Sequence, residues 1–116
     1  MQERRNALLV EDNTELADLV ASYLEELGYY VKYCSNAKDA LVALSLEDVN
    51  LLVSDIILGT AMDGFELAKA ARTELPELPV LLITGYPSEA TRSQETFAVL
   101  LKPFAFDDMQ KAIAGL

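Results

Sequence analysis

Several residue types that would allow particular chemistries are absent or nearly absent from this chain of 116 residues. It contains no histidine, which excludes Ser-His-Asp and Cys-His nucleophile pairs, most zinc sites, and a phosphohistidine carried by the chain itself. Cys34 is the only cysteine, so no internal disulfide can form, and we expect a reducing, cytoplasmic setting. Any chemistry must therefore use carboxylates, hydroxyls and lysine.

Basic residues and long apolar runs are also scarce. The chain has 9 Lys and Arg residues against 19 Asp and Glu residues, for a formal net charge of −10. Because no basic patch offsets this charge, we expect no nucleic acid and no membrane among its partners. No apolar stretch approaches the ~20 residues of a membrane helix. With 52% hydrophobic residues and the length of one domain, residues 1–116 are expected to fold as a single domain.

Short apolar runs alternate with helical patterns along the chain. Five runs predict strands, at 7–10, 29–34, 49–54, 80–83 and 98–101. Apolar residues at steps of three and four predict a helix after each strand, the first capped by Asn13 and ended by Gly28. The helix at 88–95 has the weakest pattern, because it lacks an apolar stripe. The alternation predicts an α/β fold with a doubly wound five-stranded parallel sheet and helices on both faces.

Polar side chains follow four of these strands, where ligands bind in open parallel sheets. They are Glu11 and Asp12, Asp55, Thr84, and Lys102. Three carboxylates at one edge repel each other and raise one another's pKa, so they favour a bound cation such as Mg²⁺, which prefers oxygen ligands. Lys102 offers a positive charge and Thr84 a hydrogen-bond donor to a phosphoryl oxygen. A carboxylate can also act as a nucleophile and form an aspartyl phosphate. Singly, each residue could be only a cap, a turn or a surface lysine.

Five sequence features in this order resemble the receiver domain of two-component response regulators. They are Glu11-Asp12, Asp55, Met62-Asp63-Gly64, Thr84 and Lys102-Pro103-Phe104. The resemblance implies a flavodoxin-like (βα)₅ receiver fold and a phosphoacceptor signalling switch, not an enzyme in the usual sense. It implies that Asp55 accepts a phosphoryl group from the phosphohistidine of a sensor histidine kinase or a histidine phosphotransfer protein.

The same resemblance implies a ligand set for magnesium. Asp12 and Asp55 would bind Mg²⁺ directly, Glu11 would act mainly through water, and the backbone carbonyl of Ile57 would complete the protein ligands. Phosphorylation would change the surface formed by the last two helices and the last strand. That surface would bind an unknown downstream protein, and the chain would be a monomer or a phosphorylation-dependent dimer.

The resemblance also implies how the phosphoryl group is detected. Lys102 would pair with Asp55 and then with the phosphoryl group, Thr84 would move toward that group, and the Lys102–Pro103 peptide would be cis. Many receivers carry Tyr or Phe three residues before the lysine, but here that residue is Val99. The usual coupling of the threonine to an aromatic side chain is therefore in question.

Two loops differ from the commonest receiver pattern and are similar to those of receivers joined to hybrid kinases. The loop at 58–61 is one residue longer than the most frequent version, and Tyr86 follows Thr84-Gly85. We expect the apolar or aromatic side chains of Ile57 and Tyr86 to limit water access and to give a long-lived aspartyl phosphate. We also expect segment 88–96, which lacks an apolar face, to be a short or mobile helix that carries the signal.

Two other functions remain open from the residues. One is a phosphorylation-independent interaction module on the same fold. This interpretation stays open because Val99 stands where many receivers have an aromatic residue. The other is a phosphotransferase similar to haloacid dehalogenases, which also uses an aspartyl phosphate and magnesium. That family needs an Asp two residues after the nucleophile, where this chain has Ile57.

Overall fold

The computed structural model describes residues 5–94 and 96–116, in which strands and helices alternate. The strands are β1 (Arg5–Val10), β2 (Tyr29–Cys34), β3 (Leu51–Asp55), β4 (Val80–Thr84) and β5 (Ala98–Leu101). The helices are α1 (Thr14–Glu26), α2 (Ala37–Leu46), α3 (Gly64–Glu74), α4 (Pro87–Ser93) and α5 (Phe106–Ala114). The strands pair in parallel in the order β2-β1-β3-β4-β5. This order confirms the predicted doubly wound sheet.

Helices cover both faces of the sheet, as predicted. Alternate residues of the central strands point to opposite faces and form two buried clusters. On one face Leu9 and Val53 pack with residues of α1 and α5, and on the other Leu8 and Leu52 pack with residues of α2 and α3. The central strands β1, β3 and β4 therefore each contain a fully buried apolar stretch, at 7–10, 51–53 and 80–83. This packing fixes the strand ends that carry the polar residues.

Local sequence signals set the ends of the first helix. The Asn13 side chain accepts a hydrogen bond from the Leu16 N–H at 3.0 Å, which confirms the predicted N-cap. Gly28 follows α1 with a φ of +98°, a conformation that glycine adopts without steric cost. Both signals act within a few residues of the helix, so they can be read from the sequence.

Several strand and helix ends differ from the predicted ones. β1 begins at Arg5, two residues early, because Arg5 pairs with Tyr29 and the Asn6 N–H donates to the Asn50 side chain at 2.8 Å. β3 begins at Leu51, two residues late, and includes Asp55 as its last residue. β4 likewise includes Thr84.

The fourth helix is shorter than its predicted range of 88–95. α4 spans Pro87–Ser93, and Glu95 lies outside the described residues. Pro87 stands at the first helical position, where a missing N–H costs nothing and the fixed φ suits a helix. In the described part of the chain, no helix is long and apolar enough to cross a membrane.

Candidate functional site

The predicted site residues meet where the strand order reverses, between β1 and β3. Val10 of β1 is aligned with Ser54 of β3, so Glu11 and Asp55 come next to each other one residue later. On the other side of β3, Asp55 is aligned with Ile83, the residue before Thr84. Ligands of doubly wound sheets bind at this reversal point, at the carboxyl ends of the strands.

Three carboxylates form a cluster at this edge. One carboxylate oxygen from each of Glu11, Asp12 and Asp55 lies within 4.8 Å of the other two. Glu11 and Asp55 are buried, with 2% and 8% of their surface exposed, whereas Asp12 is exposed. An all-oxygen set that is open to solvent on one side fits a hard cation that keeps some of its water, such as Mg²⁺.

Lys102 supplies a positive charge beside two of the carboxylates. Its Nζ lies 3.2 Å from Asp55 Oδ2 and 3.8 Å from Glu11 Oε2. Its backbone N–H donates to the Thr84 carbonyl at 2.8 Å, which holds the lysine at the end of β4. The Lys102–Pro103 peptide is cis, as the resemblance implied. The ammonium group is thus close to both buried carboxylates of the cluster.

Burial shifts the titration of both buried carboxyls. The pKa of Glu11 is raised to about 7, mainly by burial and also by the charge of Asp55, against the lowering effects of a hydrogen bond from the Asn13 N–H and of Lys102. Burial also raises the pKa of Asp55, against the lowering effect of Lys102. We expected repulsion among the carboxylates to raise these pKa values, and a neighbouring carboxylate does contribute in each residue. Loss of solvation is larger in both residues, because the sheet edge encloses them.

The remaining predicted residues lie within β4 and β5 or in the loops that follow β3 and β4. Thr84 is buried, and its Oγ1 accepts a hydrogen bond from the Tyr86 N–H at 3.1 Å. The side chains of Ile57 and Tyr86 are 43% and 59% exposed. Val99, in β5, is partly buried against the cluster that α2 and α3 cover. Ile57 follows Asp55 by two residues, in the loop that leads to α3.

Gly64 has a structural role that the sequence did not reveal. Its N–H donates to the Ile56 carbonyl at 2.7 Å. A Cβ at this position would lie 2.0 Å from the backbone carbonyl oxygen of Asp55, a distance that no real side chain tolerates. The sequence marked Gly64 as part of a motif, but the contact with Asp55 joins residues nine positions apart and depends on how the loop folds back.

Arg92 makes a contact near the site and was not singled out by the sequence. It belongs to α4, and its Nη2 lies 3.3 Å from Oδ2 of Asp63, the N-cap residue of α3. Its guanidinium carbon lies 4.9 Å from the centre of the Phe65 ring. An arginine in a polar helix has the pattern of any solvated residue, so no sequence signal could have found this contact.

Known proteins resemble the chain over nearly its whole length. A family described as "Response regulator receiver domain" matches residues 7–114. The response regulator receiver protein CpdR of Brucella abortus is 33% identical over 113 residues, covering 94% of this chain and 93% of that protein. The nitrogen assimilation regulatory protein NtrX of Azorhizobium caulinodans is 34% identical over 90% of this chain, which spans only 22% of NtrX.

Solved structures show the same architecture. The crystal structure of a response regulator receiver protein from Sinorhizobium medicae has a TM-score of 0.89 and 27% sequence identity. It covers 97% of this chain and 94% of the compared chain. With the family match over residues 7–114 and the reversal-point site that Asp55 and Lys102 share, the chain belongs to the response regulator receiver domains, which are phosphoacceptor switches of two-component signalling.

Proposed function

We propose that residues 1–116 act as one receiver domain in which Asp55 accepts the phosphoryl group. Receiver domains take phosphoryl groups from histidine kinases; here the donor is the phosphohistidine of a sensor histidine kinase or a histidine phosphotransfer protein. The observation that carries the proposal is the surroundings of Asp55. It is a buried carboxylate at the reversal point, 3.2 Å from a lysine ammonium and clustered with two further carboxylates.

Receiver domains bind Mg²⁺ at an acidic pocket of this kind. In this chain Glu11, Asp12, Asp55 and the backbone carbonyl of Ile57 would hold the ion. When bound, Mg²⁺ neutralises negative charge on the transferred phosphoryl group. The carboxylate cluster supports this assignment because three acidic groups so close together are costly without a cation.

The transfer step uses Asp55 as a nucleophile. A carboxylate oxygen of Asp55 bonds to phosphorus, the bond between phosphorus and the donor's histidine nitrogen breaks, and its electron pair returns to the imidazole. Asp55 must be ionised for this attack, and Lys102 favours the ionised form against the effect of burial. Lys102 then remains beside the phosphoryl oxygens. The chain would catalyse at most its own phosphorylation and dephosphorylation.

Thr84 is the residue that would report the phosphoryl group to the protein surface. It is the last residue of β4, next to the strand that carries Asp55, and α4 begins three residues later. A shift of Thr84 would reach α4 and β5 through this short connection. The surface of α4, β5 and α5 is then the proposed contact for a downstream protein or a second copy, with the whole switch operating in the cytoplasm.

Val99 favours one alternative, a module that binds partners without phosphorylation. With valine in β5, the chain lacks the aromatic side chain that often couples to the threonine. The retained acceptor, acidic pair and lysine support the phosphorylated switch instead. The phosphotransferase alternative lacks its second Asp, because Ile57 occupies that position.

Acetyl phosphate tests the proposed function directly. We expect incubation with acetyl phosphate and Mg²⁺ to add one phosphoryl group, about 80 Da by intact mass spectrometry. Chelating Mg²⁺ or substituting Asp55→Asn should abolish the adduct, whereas Asp107→Asn, at an exposed position of α5, should leave it unchanged. Absence of an adduct on the unaltered protein, together with no binding of the phosphoryl analogue beryllofluoride, would favour the interaction module.

A further inference from the structure

α4 has few interactions that would hold it in place. It has seven residues, and none of the described side chains caps its first turn. Ser93 is its one buried residue in the described structure, and the Ser93 hydroxyl has no hydrogen-bond partner among the described groups. An isolated helix of this length is not stable in water. Its position therefore depends on its contacts with β4 and β5 and on contacts made by individual side chains.

Arg92 makes contacts that join α4 to the neighbouring helix α3. Its Nη2 lies 2.7 Å from Glu89 Oε2 within α4 and 3.3 Å from Asp63 Oδ2 at the start of α3. Its guanidinium carbon is 4.9 Å from the centre of the Phe65 ring, which packs edge-on against Phe97 at 5.6 Å between centroids. A planar guanidinium can serve a carboxylate and an aromatic face at once, which an ammonium does less well.

Asp63 is in turn fixed relative to Asp55. The Asp63 side chain accepts from the Glu66 N–H at 2.8 Å, and the Asp63 N–H donates to the Glu66 carboxylate at 3.1 Å. The next residue, Gly64, donates to the Ile56 carbonyl and lies directly against the Asp55 carbonyl. A displacement of the Asp55 backbone therefore reaches Asp63 through two rigid contacts.

We propose that Arg92 is a positioning residue that couples α4 to the loop at 56–63. This inference rests on the proposed phosphorylation of Asp55. The route runs from Asp55 through Gly64 and Asp63 to Arg92, so it does not need an aromatic side chain in place of Val99. A group bound at Asp55 restricts the loop, holds Asp63 in place and strengthens the Arg92 contact. By linkage, the Arg92 contact strengthens binding at Asp55 by the same factor.

Beryllofluoride with Mg²⁺ tests this coupling on the whole chain. Its binding is measured by ¹⁹F NMR, and the order of α4 is measured by amide hydrogen exchange over Pro87–Ser93. In the unaltered protein we expect beryllofluoride to slow exchange in α4. In Arg92→Gln we expect amide exchange in α4 to be roughly fivefold faster and not to respond to beryllofluoride. We also expect beryllofluoride to bind more weakly, by a similar factor.

Three variants separate coupling from a general loss of structure. Asp63→Asn keeps a side chain that caps helices well but removes the charge, so it should reproduce the Arg92→Gln result. The double variant should add nothing further, because both changes remove one interaction. Lys69→Gln removes an exposed cation that lies 5.5 Å from the centre of the same Phe65 ring, without touching α4, and should behave like the unaltered protein.

The outcomes distinguish this inference from the function on which it rests. If the unaltered protein binds beryllofluoride but α4 responds equally in Arg92→Gln, the coupling through Arg92 is wrong and the phosphoacceptor function stands. Additive effects of Arg92→Gln and Asp63→Asn would also overturn it. If the unaltered protein binds no beryllofluoride and forms no acetyl-phosphate adduct, the proposed function fails and this inference fails with it.

Discussion

The backbone around Asp55 leaves no room for a side chain at residue 64. The close approach of Gly64 allows the chain to turn back after β3, so that α3 begins beside Asp55, the proposed phosphoacceptor. The hydroxyl of Ser54 adds a second restraint, because it donates to the same Asp55 carbonyl at 2.9 Å. The carboxylate is thus held by its own main chain as well as by Lys102.

Substituting Gly64→Ala should therefore damage both stability and the site. The Cβ would lie 2.0 Å from the Asp55 carbonyl oxygen, and backbone must move to relieve the overlap. We expect the free energy of unfolding to fall by about 2 kcal/mol or more in urea denaturation, with weaker beryllofluoride binding. Gly85→Ala is the matched control, since its Cβ would meet Lys102 at an ordinary 3.9 Å. Equal losses in the two variants would contradict the steric argument.

Glu11 should make the metal-free protein less stable as the pH rises. The pKa of its carboxyl is raised, mainly by burial, from the ordinary 4.5 to about 7, so the folded state binds more protons between these values. Stability from this group is complete below pH 4.5 and is lost as the pH rises through 7. Glu11→Gln should flatten this part of the pH profile, as measured by urea unfolding in EDTA. Parallel profiles for the two proteins would count against it.

We expect Ile57 and Tyr86 to make the aspartyl phosphate long-lived. Ile57 follows Asp55 by two residues, Tyr86 follows Thr84 by two, and both are partly exposed, so they would hinder water without closing the site completely. Ile57→Asn should shorten the lifetime several-fold in an acyl-phosphate chase, because a polar side chain can hold the attacking water. Leu46→Asn, at an exposed position in α2, serves as the control. Decay within seconds in the unaltered protein would refute the expectation.

At the scale of elements, the sequence predicts best where structure depends on neighbouring residues. The β2 and β5 runs have the predicted bounds, and the Asn13 and Gly28 signals enclose α1. The start of β1 was missed because it depends on pairing with β2 and on a hydrogen bond to Asn50. The five polar site residues could be found because parallel strands all present their carboxyl ends at one edge.

α4 shows where such prediction stops. Its polar sequence correctly indicated a short helix, but nothing local showed that Arg92 contacts Asp63, which is 29 residues away. The few side-chain contacts of α4 also determine how readily it unfolds locally, compared with the other helices. A helix held by a few side chains opens more readily than one with a buried stripe.

Amide exchange should therefore rank α4 below α1. α1 has thirteen residues, a side-chain N-cap, and the buried residues Ala17, Val20 and Leu24. α4 has seven residues and one buried residue. We expect exchange in α4 at least about tenfold faster than in the middle of α1, measured by mass spectrometry on the metal-free protein. Slow exchange in both helices would mean that α4 is stabilised by packing that its side chains do not account for.

For the molecule as a whole, the negative charges that make up the net charge of −10 do not destabilise the fold equally. Most acidic side chains lie at the surface, where water screens them. Glu11 and Asp55 are buried together with a single lysine beside them, so the folded chain keeps unfavourable charge at one edge of the sheet. A ligand that binds the folded state and not the unfolded chain stabilises the protein.

Magnesium should accordingly raise the stability of the whole domain. At a concentration one hundred times its dissociation constant, Mg²⁺ should add about 2.7 kcal/mol to the free energy of unfolding. Urea denaturation at constant ionic strength, with KCl replacing MgCl₂, separates binding from screening. Asp12→Asn should remove most of the gain, because Asp12 is the exposed member of the carboxylate cluster and is not needed for the core. Asp107→Asn should retain the full gain, since it changes the net charge equally but lies on α5. An equal response in all three proteins would show that Mg²⁺ acts on the surface charge and not at the cluster.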